Sequence, residues 1–332
     1  MTCRVLVADD GEGLVSLAKG LFSGQVEEAG VVRLKDITDA VVRLKANVVL
    51  VVLGPRSQQA VSAIERLMAE RPTPVLLVAQ EGSDRQSAFA ALAAGALEIF
   101  EVPKEPRPEV WRRLHDQLDH LARLSVLPQV RGRRQQVATH VALRPVYPVV
   151  AIAASLGGPK ALAAVLKGLP KTFTAPVLIC QHITSGFTDD LARWLAAESK
   201  REVLEVTRTQ ALREGAVYVA PSGLHLAVRP GGRVELDDGE PVGGFKPSCD
   251  VLLRTAASAF GDRAIGVVLT GMGRDGARGL KEIRARGGHT VAQDEATSTV
   301  FGMPQEAIAL GAAEKILPLD KIAAQLDAWT RP

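Results

Sequence analysis

Three places in the sequence hold residue types suited to acyl transfer, and each follows a run of apolar residues. The first is Val149-Val150-Ala151-Ile152-Ala153-Ala154-Ser155-Leu156-Gly157-Gly158-Pro159, an apolar strand leading into a serine, two glycines and a helix from about Pro159. A hydroxyl on such a turn stands at the positive end of a helix dipole, like a nucleophile elbow, although the GxSxG spacing is absent. A helix N-cap or a phosphate-binding turn would use the same residues. The second place is Val177-Leu178-Ile179-Cys180-Gln181-His182, followed by Gly186-Phe187-Thr188 and a helix. A hydroxyl nucleophile needs a base that titrates near neutrality, which histidine supplies. Of the six histidines only His182 follows an apolar strand in the manner of Ser155. Alone, it reads first as a structural histidine. The third place runs from Ile265 to Ala277, a strand, a glycine-laced turn and a helix, with Asp275 just before the helix. Asp275 suits a helix N-cap, and it suits the third member of a Ser-His-Asp triad, holding the imidazole and its positive charge. Gly271, Gly273 and Gly276 let backbone N–H groups approach a reacting carbonyl. Each signal is ambiguous singly, whereas three triad residue types at three strand ends of one α/β region form a far more specific coincidence.

These strand ends need a scaffold. The 332 residues suggest two domains. From residue 1 to about 104, the runs Val5–Ala8, Val48–Leu53, Val75–Ala79 and Ile99–Val102 read as strands. Helical spacing separates them at Gly13–Phe22, Gln58–Glu70 and Gln86–Ala94. Continuous apolar strands alternating with helices imply a parallel sheet covered on both faces. An amphipathic helix from Pro106 to about Leu124 closes this domain, 1–124. Residues 125–145 contain arginines and no acids, and read as a linker. In 146–332 the alternation resumes, with strands near Val149, Val177, Glu202, Val217, Ile265, Thr290 and Ile316. A hairpin insertion falls at His225–Leu236, around Pro230-Gly231-Gly232.

Composition removes several function classes. With 47% apolar residues the chain can bury a core, so wholesale disorder is excluded. Net charge is only +3, and the excess sits between Glu105 and Val146, where eight arginines face four acids. The folded domains are therefore near neutral, and no nucleic-acid face is implied. No apolar run approaches the roughly 20 residues of a bilayer span, and the amino terminus reads as a strand rather than an export signal. Cys3, Cys180 and Cys249 are far apart without CxxC spacing, so the sequence supports neither a disulfide framework nor a zinc knuckle. The expected setting is a reducing cytoplasm, without membrane insertion.

At these residues the chain resembles the chemotaxis response-regulator methylesterases of the CheB type. The family's GASTGG serine motif is matched by Ala153-Ala154-Ser155-Leu156-Gly157-Gly158, and its QH…GFT motif by Gln181-His182 with Gly186-Phe187-Thr188. Its LTGMGxDGA motif is matched in full from Leu269 to Ala277. Further matches are Val219-Ala220-Pro221 with His225-Leu226, Pro247-Ser248-Cys249-Asp250, Gln293-Asp294-Glu295-Ala296 and Val300-Phe301-Gly302-Met303-Pro304. The resemblance implies a flavodoxin-like receiver domain joined to a doubly wound α/β methylesterase domain. It implies a triad of Ser155, His182 and Asp275, with the Met272 backbone N–H in the oxyanion hole. It also implies hydrolysis of γ-glutamyl methyl esters, and deamidation of glutamines, on the cytoplasmic domain of methyl-accepting chemoreceptors. A chemotaxis histidine kinase is a second implied partner, and no cofactor or metal is expected. Leu156 departs from the family's threonine and Ala153 from its first glycine, which removes a hydroxyl beside the nucleophile.

The first domain departs further. A working receiver needs an acidic pair after the first strand, an acceptor Asp after the third, a hydroxyl after the fourth and a lysine after the fifth. Asp9 and Asp10 keep the pair as a remnant of a metal site. Val52, Ala79 and Val102 occupy the other positions, and no carboxylate occurs from Ala46 to Ile64. The expectation is a pseudo-receiver. Two other function classes compete with the esterase reading. One is a non-catalytic signalling adaptor, motivated by the degenerate first domain. The other is a nucleotide-binding protein using Gly157-Gly158, although neither GxGxxG nor a P-loop is present.

Overall fold

The structure, a computed structural model, describes residues 3–9, 26–53, 57–80, 85–103, 106–124 and 148–331. The chain divides into two compact units, Met1–Gln129 and Val130–Pro332. The expected linker (125–145), the expected helix Gly13–Phe22 and Asp10 lie outside the described residues.

In the first unit the elements run β1 (Cys3–Asp9), β2 (Val26–Arg33), α1 (Ile37–Leu44), β3 (Val48–Leu53), α2 (Ser57–Glu70), β4 (Val75–Gln80), α3 (Arg85–Ala94), β5 (Glu98–Val102) and α4 (Pro108–Leu121). The five strands form a parallel sheet in the order β2-β1-β3-β4-β5, the flavodoxin-like doubly wound arrangement. All six residues of β3 are buried, as a central strand covered on both faces requires. The expected strands number four here; β2 is the addition. It lies at the sheet edge, is exposed or half-buried at every position after Val26 and includes Gly30, so it lacks the continuous apolar run of its neighbours. Pro108 opens α4, where its missing N–H costs nothing, and Leu114, Leu118 and Leu121 form the buried stripe.

The second unit holds β6 (Val149–Ala154), α5 (Gly158–Gly168), β7 (Val177–Gln181), α6 (Thr188–Ser199), β8 (Val203–Glu205), β9 (Gln210–Ala211) and β10 (Val217–Val219). It continues with β11 (His225–Arg229), β12 (Arg233–Asp237), α7 (Cys249–Phe260), β13 (Ala264–Val268), α8 (Ala277–Ala285), β14 (His289–Gln293), α9 (Met303–Ala309), β15 (Lys315–Leu317) and α10 (Leu319–Thr330). Seven strands pair in parallel in the order β15-β14-β13-β6-β7-β10-β8. The chain builds outward from β6 to one side, then crosses to the other with β13. That reversal leaves a crevice at the carboxyl ends of β13, β6 and β7, where ligands gather in open α/β sheets. The β11–β12 hairpin closes between Arg229 and Arg233, and the short β9 adds to its edge. The alternation of β6 sends Val149, Ala151 and Ala153 into one apolar core with Leu178, Cys180, Leu252, Leu253 and Leu280. That core fixes the three strand ends relative to α7 and α8.

Candidate active site

Register brings the expected serine and histidine together. Ala154 of β6 pairs with Gln181 of β7, so Ser155 and His182 are the next residues on neighbouring strands; the His182 N–H donates to the Ala154 carbonyl at 3.0 Å. On the other side of β6, the Ser155 N–H donates to the Thr270 carbonyl at 3.1 Å, tying the serine to the turn after β13. Gly157 has φ 73°, a left-handed conformation that glycine adopts freely, and this turns the chain sharply into α5. Ser155 thus precedes a helix N-terminus, where backbone dipoles favour developing negative charge.

Gln181 reinforces the turn from below. Its side chain is 3% exposed, and its Nε2 donates to the Ser155 carbonyl at 2.8 Å and the His182 carbonyl at 2.7 Å. One amide therefore fixes the backbone of both residues. Thr270 acts similarly: its hydroxyl donates to the Leu156 carbonyl at 2.9 Å and accepts the Val300 N–H at 2.9 Å. Leu156 itself is buried. Gly271 packs directly on the serine, since a Cβ placed there would come within 2.8 Å of the Ser155 Cβ and 2.4 Å of the Met303 Sδ. Met272 follows Gly271 in this turn, which places its peptide unit beside the serine.

His182 and Asp275 meet as a buried pair, with Nε2 of the imidazole 2.9 Å from Oδ2 of the carboxylate. The Phe245 ring stacks on the imidazole, centroids 4.1 Å apart and planes 2° from parallel. The other ring nitrogen, Nδ1, is buried and has no partner among the described residues. With Nε2–H donating to Asp275, Nδ1 keeps its lone pair and is the basic atom. Burial alone would push the imidazole pKa down, but the Cys249 and Asp275 groups beside it outweigh that and hold it above the ordinary histidine value.

Asp275 is not the N-cap of its own helix. Its Oδ1 accepts from the Ser248 hydroxyl (2.8 Å) and the Asp250 N–H (2.9 Å), and its Oδ2 accepts from the Cys249 N–H (2.7 Å). The carboxylate therefore caps α7, not α8. Asp250 returns the exchange, its Oδ1 accepting the N–H groups of Gly276 (3.0 Å) and Gly279 (2.7 Å) at the start of α8. Each helix thus supplies the carboxylate that caps the other, and the crossed pair locks Asp275 in place. Burial would raise the Asp275 pKa; the donors around the carboxylate more than offset it and hold the group below its usual value. For Asp250 burial wins, with the neighbouring Asp275 charge adding to it, and its pKa is raised.

His225 is the structural histidine of the region. It is 2% exposed, its Nδ1 accepts the Ser248 N–H at 3.1 Å, and its Nε2 faces the Glu240 carbonyl at 3.0 Å. It braces the segment that presents Phe245 and Ser248. Of the expected site residues, the structure gathers Ser155, His182, Asp275 and Met272 at one sheet end. Phe245 was missed by sequence reasoning, and no pattern marks a lone aromatic in a loop. Gln181, Ser248 and Asp250 were visible only as parts of matched motifs, without roles.

Comparison with known proteins gives three concordant results. The CheB methylesterase family model matches residues 150–326. The chain is 50% identical to protein-glutamate methylesterase FrzG of Myxococcus xanthus, over 99% of each chain. It is 44% identical to protein-glutamate methylesterase/protein-glutamine glutaminase 2 of Anaeromyxobacter dehalogenans (strain 2CP-C), over 99% of this chain and 97% of that one. Among solved structures, the Thermotoga maritima CheB methylesterase catalytic domain is similar at TM-score 0.53 and 37% identity, covering 55% of this chain and 98% of its own.

Proposed function

The chain belongs to the CheB methylesterase family, and from that premise we propose that it is a protein-glutamate methylesterase working through Ser155, His182 and Asp275. The observation that carries the proposal is the buried His182–Asp275 pair one register position from Ser155, with the opposite ring nitrogen unpartnered. His182 Nδ1 takes the Ser155 proton as Oγ attacks the γ-carbonyl carbon of a glutamyl methyl ester. The negative charge on the carbonyl oxygen is met by the Met272 N–H and the amino end of α5. Collapse breaks the bond to methoxide, which leaves as methanol with the proton from Nδ1. Water, deprotonated by the same nitrogen, then attacks the acyl-serine and releases glutamate. Asp275 holds the ring in the Nε2–H tautomer and balances the imidazolium. Deamidation of a glutamine side chain follows the same course, with ammonia as the leaving group.

The substrate in this reading is the cytoplasmic domain of a methyl-accepting chemoreceptor, in chemotaxis-like signalling that includes a histidine kinase. No helix among the described residues is long and apolar enough to cross a membrane, which accords with a cytoplasmic site of action. The first unit serves as a pseudo-receiver in 1–124, joined through 125–145 to a catalytic domain in 146–332. Val52 and Ala79 stand one residue before the ends of β3 and β4, Val102 ends β5, and all three are buried. None offers an oxygen ligand, so the chemistry of a Mg²⁺-dependent aspartyl phosphate does not fit these residues. Regulation through this domain therefore rests on binding. Methanol release from a methylated receptor fragment tests the esterase reading. The wild-type chain releases methanol and Ser155→Ala does not; equal release by both would remove the triad assignment.

A further inference from the structure

Sequence spacing sets Cys180 and Cys249 far apart, yet the fold brings both to the catalytic histidine. Cys180 and His182 are two residues apart at the end of β7, so they share one face of the strand, and α7 begins with Cys249 against that face. One ligand atom from each of Cys180, His182 and Cys249 lies within 4.8 Å of the other two. The Cys249 Sγ is 3.6 Å from His182 Nε2. In a tetrahedral zinc site with Zn–S of about 2.3 Å and Zn–N of about 2.0 Å, sulfur and nitrogen ligands stand about 3.5 Å apart. Both thiols are fully buried, and His182, with 11% of its side chain exposed, forms the boundary between them and solvent.

We propose that Cys180, His182 and Cys249 form an inhibitory site for a thiophilic divalent cation, Zn²⁺ by chemistry, that switches off the catalytic base. The donor set, two thiolates and an imidazole, suits zinc and leaves a fourth position for water. Binding releases both thiol protons to solvent, because a coordinating thiol ionises even where burial opposes it. Coordination takes the Nε2 lone pair, so the Nε2 proton moves to Nδ1. Nδ1 then has no lone pair for the serine proton, and the hydrogen bond to Asp275 is broken. No redox step is involved, and removal of the metal restores the active tautomer. The inhibition depends on His182 being the base, as proposed above; the binding does not.

The experiment uses the full chain, metal-free and reduced with a phosphine. Anaerobic Co²⁺ titration is expected to give one equivalent of tetrahedral visible bands with a thiolate-to-cobalt charge-transfer band. Cobalt-saturated Cys180→Ala, with one thiolate left, loses about half of the charge-transfer intensity; Cys180→Val replaces it if the alanine variant fails to fold. Zn²⁺ should abolish ester hydrolysis, and a chelator should restore it. Cys180→Ala should hydrolyse normally without metal and need at least about a hundredfold more Zn²⁺ for inhibition, because a lost outer-shell partner already costs ten- to a hundredfold and Cys180 is a direct ligand. A six-coordinate Co²⁺ spectrum without the thiolate band, or equal Zn²⁺ sensitivity of wild type and Cys180→Ala, would overturn the site. Absence of any hydrolysis by metal-free wild type would instead count against the esterase reading, and the cobalt spectrum would still decide the metal site.

Discussion

The carboxyl ends of the two parallel sheets differ in kind. In the second unit, β6 and β7 run directly into Ser155 and His182 and β13 into the turn to Asp275, and Gln181, Thr270 and Ser248 hold the carbonyl and carboxylate groups around them. In the first unit, Val52, Ala79 and Val102 stand at or one residue before the ends of β3, β4 and β5, all buried and apolar. Both sheets are held by continuous apolar strands, so both folds persist. Chemistry depends on single residues at or beyond the strand ends, and such a residue can be exchanged for an apolar one without disturbing the layers beneath. A doubly wound domain can therefore lose its reaction and keep its shape.

Ser155→Ala should give the largest effect, a loss of about a millionfold in kcat with the fold intact by circular dichroism. Asp275→Asn comes next, at about ten-thousandfold, because the amide no longer enforces the working tautomer. Its pH profile sharpens the point. The neutral imidazole is the active form, so wild-type kcat/KM rises with pH through a His182 pKa held above the ordinary value of about 6.5. Removing the Asp275 charge should move that acid limb to lower pH. Asp250→Ala touches no substrate, but it removes one of the crossed caps; about a hundredfold loss in kcat is expected for such misplacement. It should also lower stability by about 1 kcal/mol, read by thermal unfolding. Phe245→Leu removes the ring stacked on the imidazole, worth about 0.5–1.5 kcal/mol, and should slow hydrolysis about two- to tenfold. At the other sheet, acetyl phosphate with Mg²⁺ should leave the hydrolysis rate unchanged; an increase would break the contrast between the two ends.

Much of the fold was legible because a buried parallel strand must be continuously apolar, as Val48–Leu53 and Val149–Ala154 are. The exception, Val26–Arg33, is an edge strand whose exposed positions break that pattern. The proposed triad was visible for a related reason: Ser155 and His182 directly follow apolar strands, and Asp275 sits at a glycine-laced turn into a helix. What surrounds it was not. Asp250 caps the helix beginning at Ala277 across 26 positions from Gly276, and the Cys249 thiol lies 67 positions from His182. Phe245 lies in a loop that no periodicity governs. Such contacts arise only when β6, β7, α7 and α8 pack together, and local spacing records none of them.

The contrast between the two sheet ends can be tested in one peptide mass spectrum of the full chain, treated in parallel with a fluorophosphonate and with acetyl phosphate plus Mg²⁺ followed by borohydride trapping. The account expects a phosphonyl adduct on Ser155 and no trapped aspartyl phosphate in residues 1–124. An unmodified Ser155 with the adduct elsewhere, or a trapped phosphoaspartate at Asp9, Asp10 or any other first-domain aspartate, would contradict it.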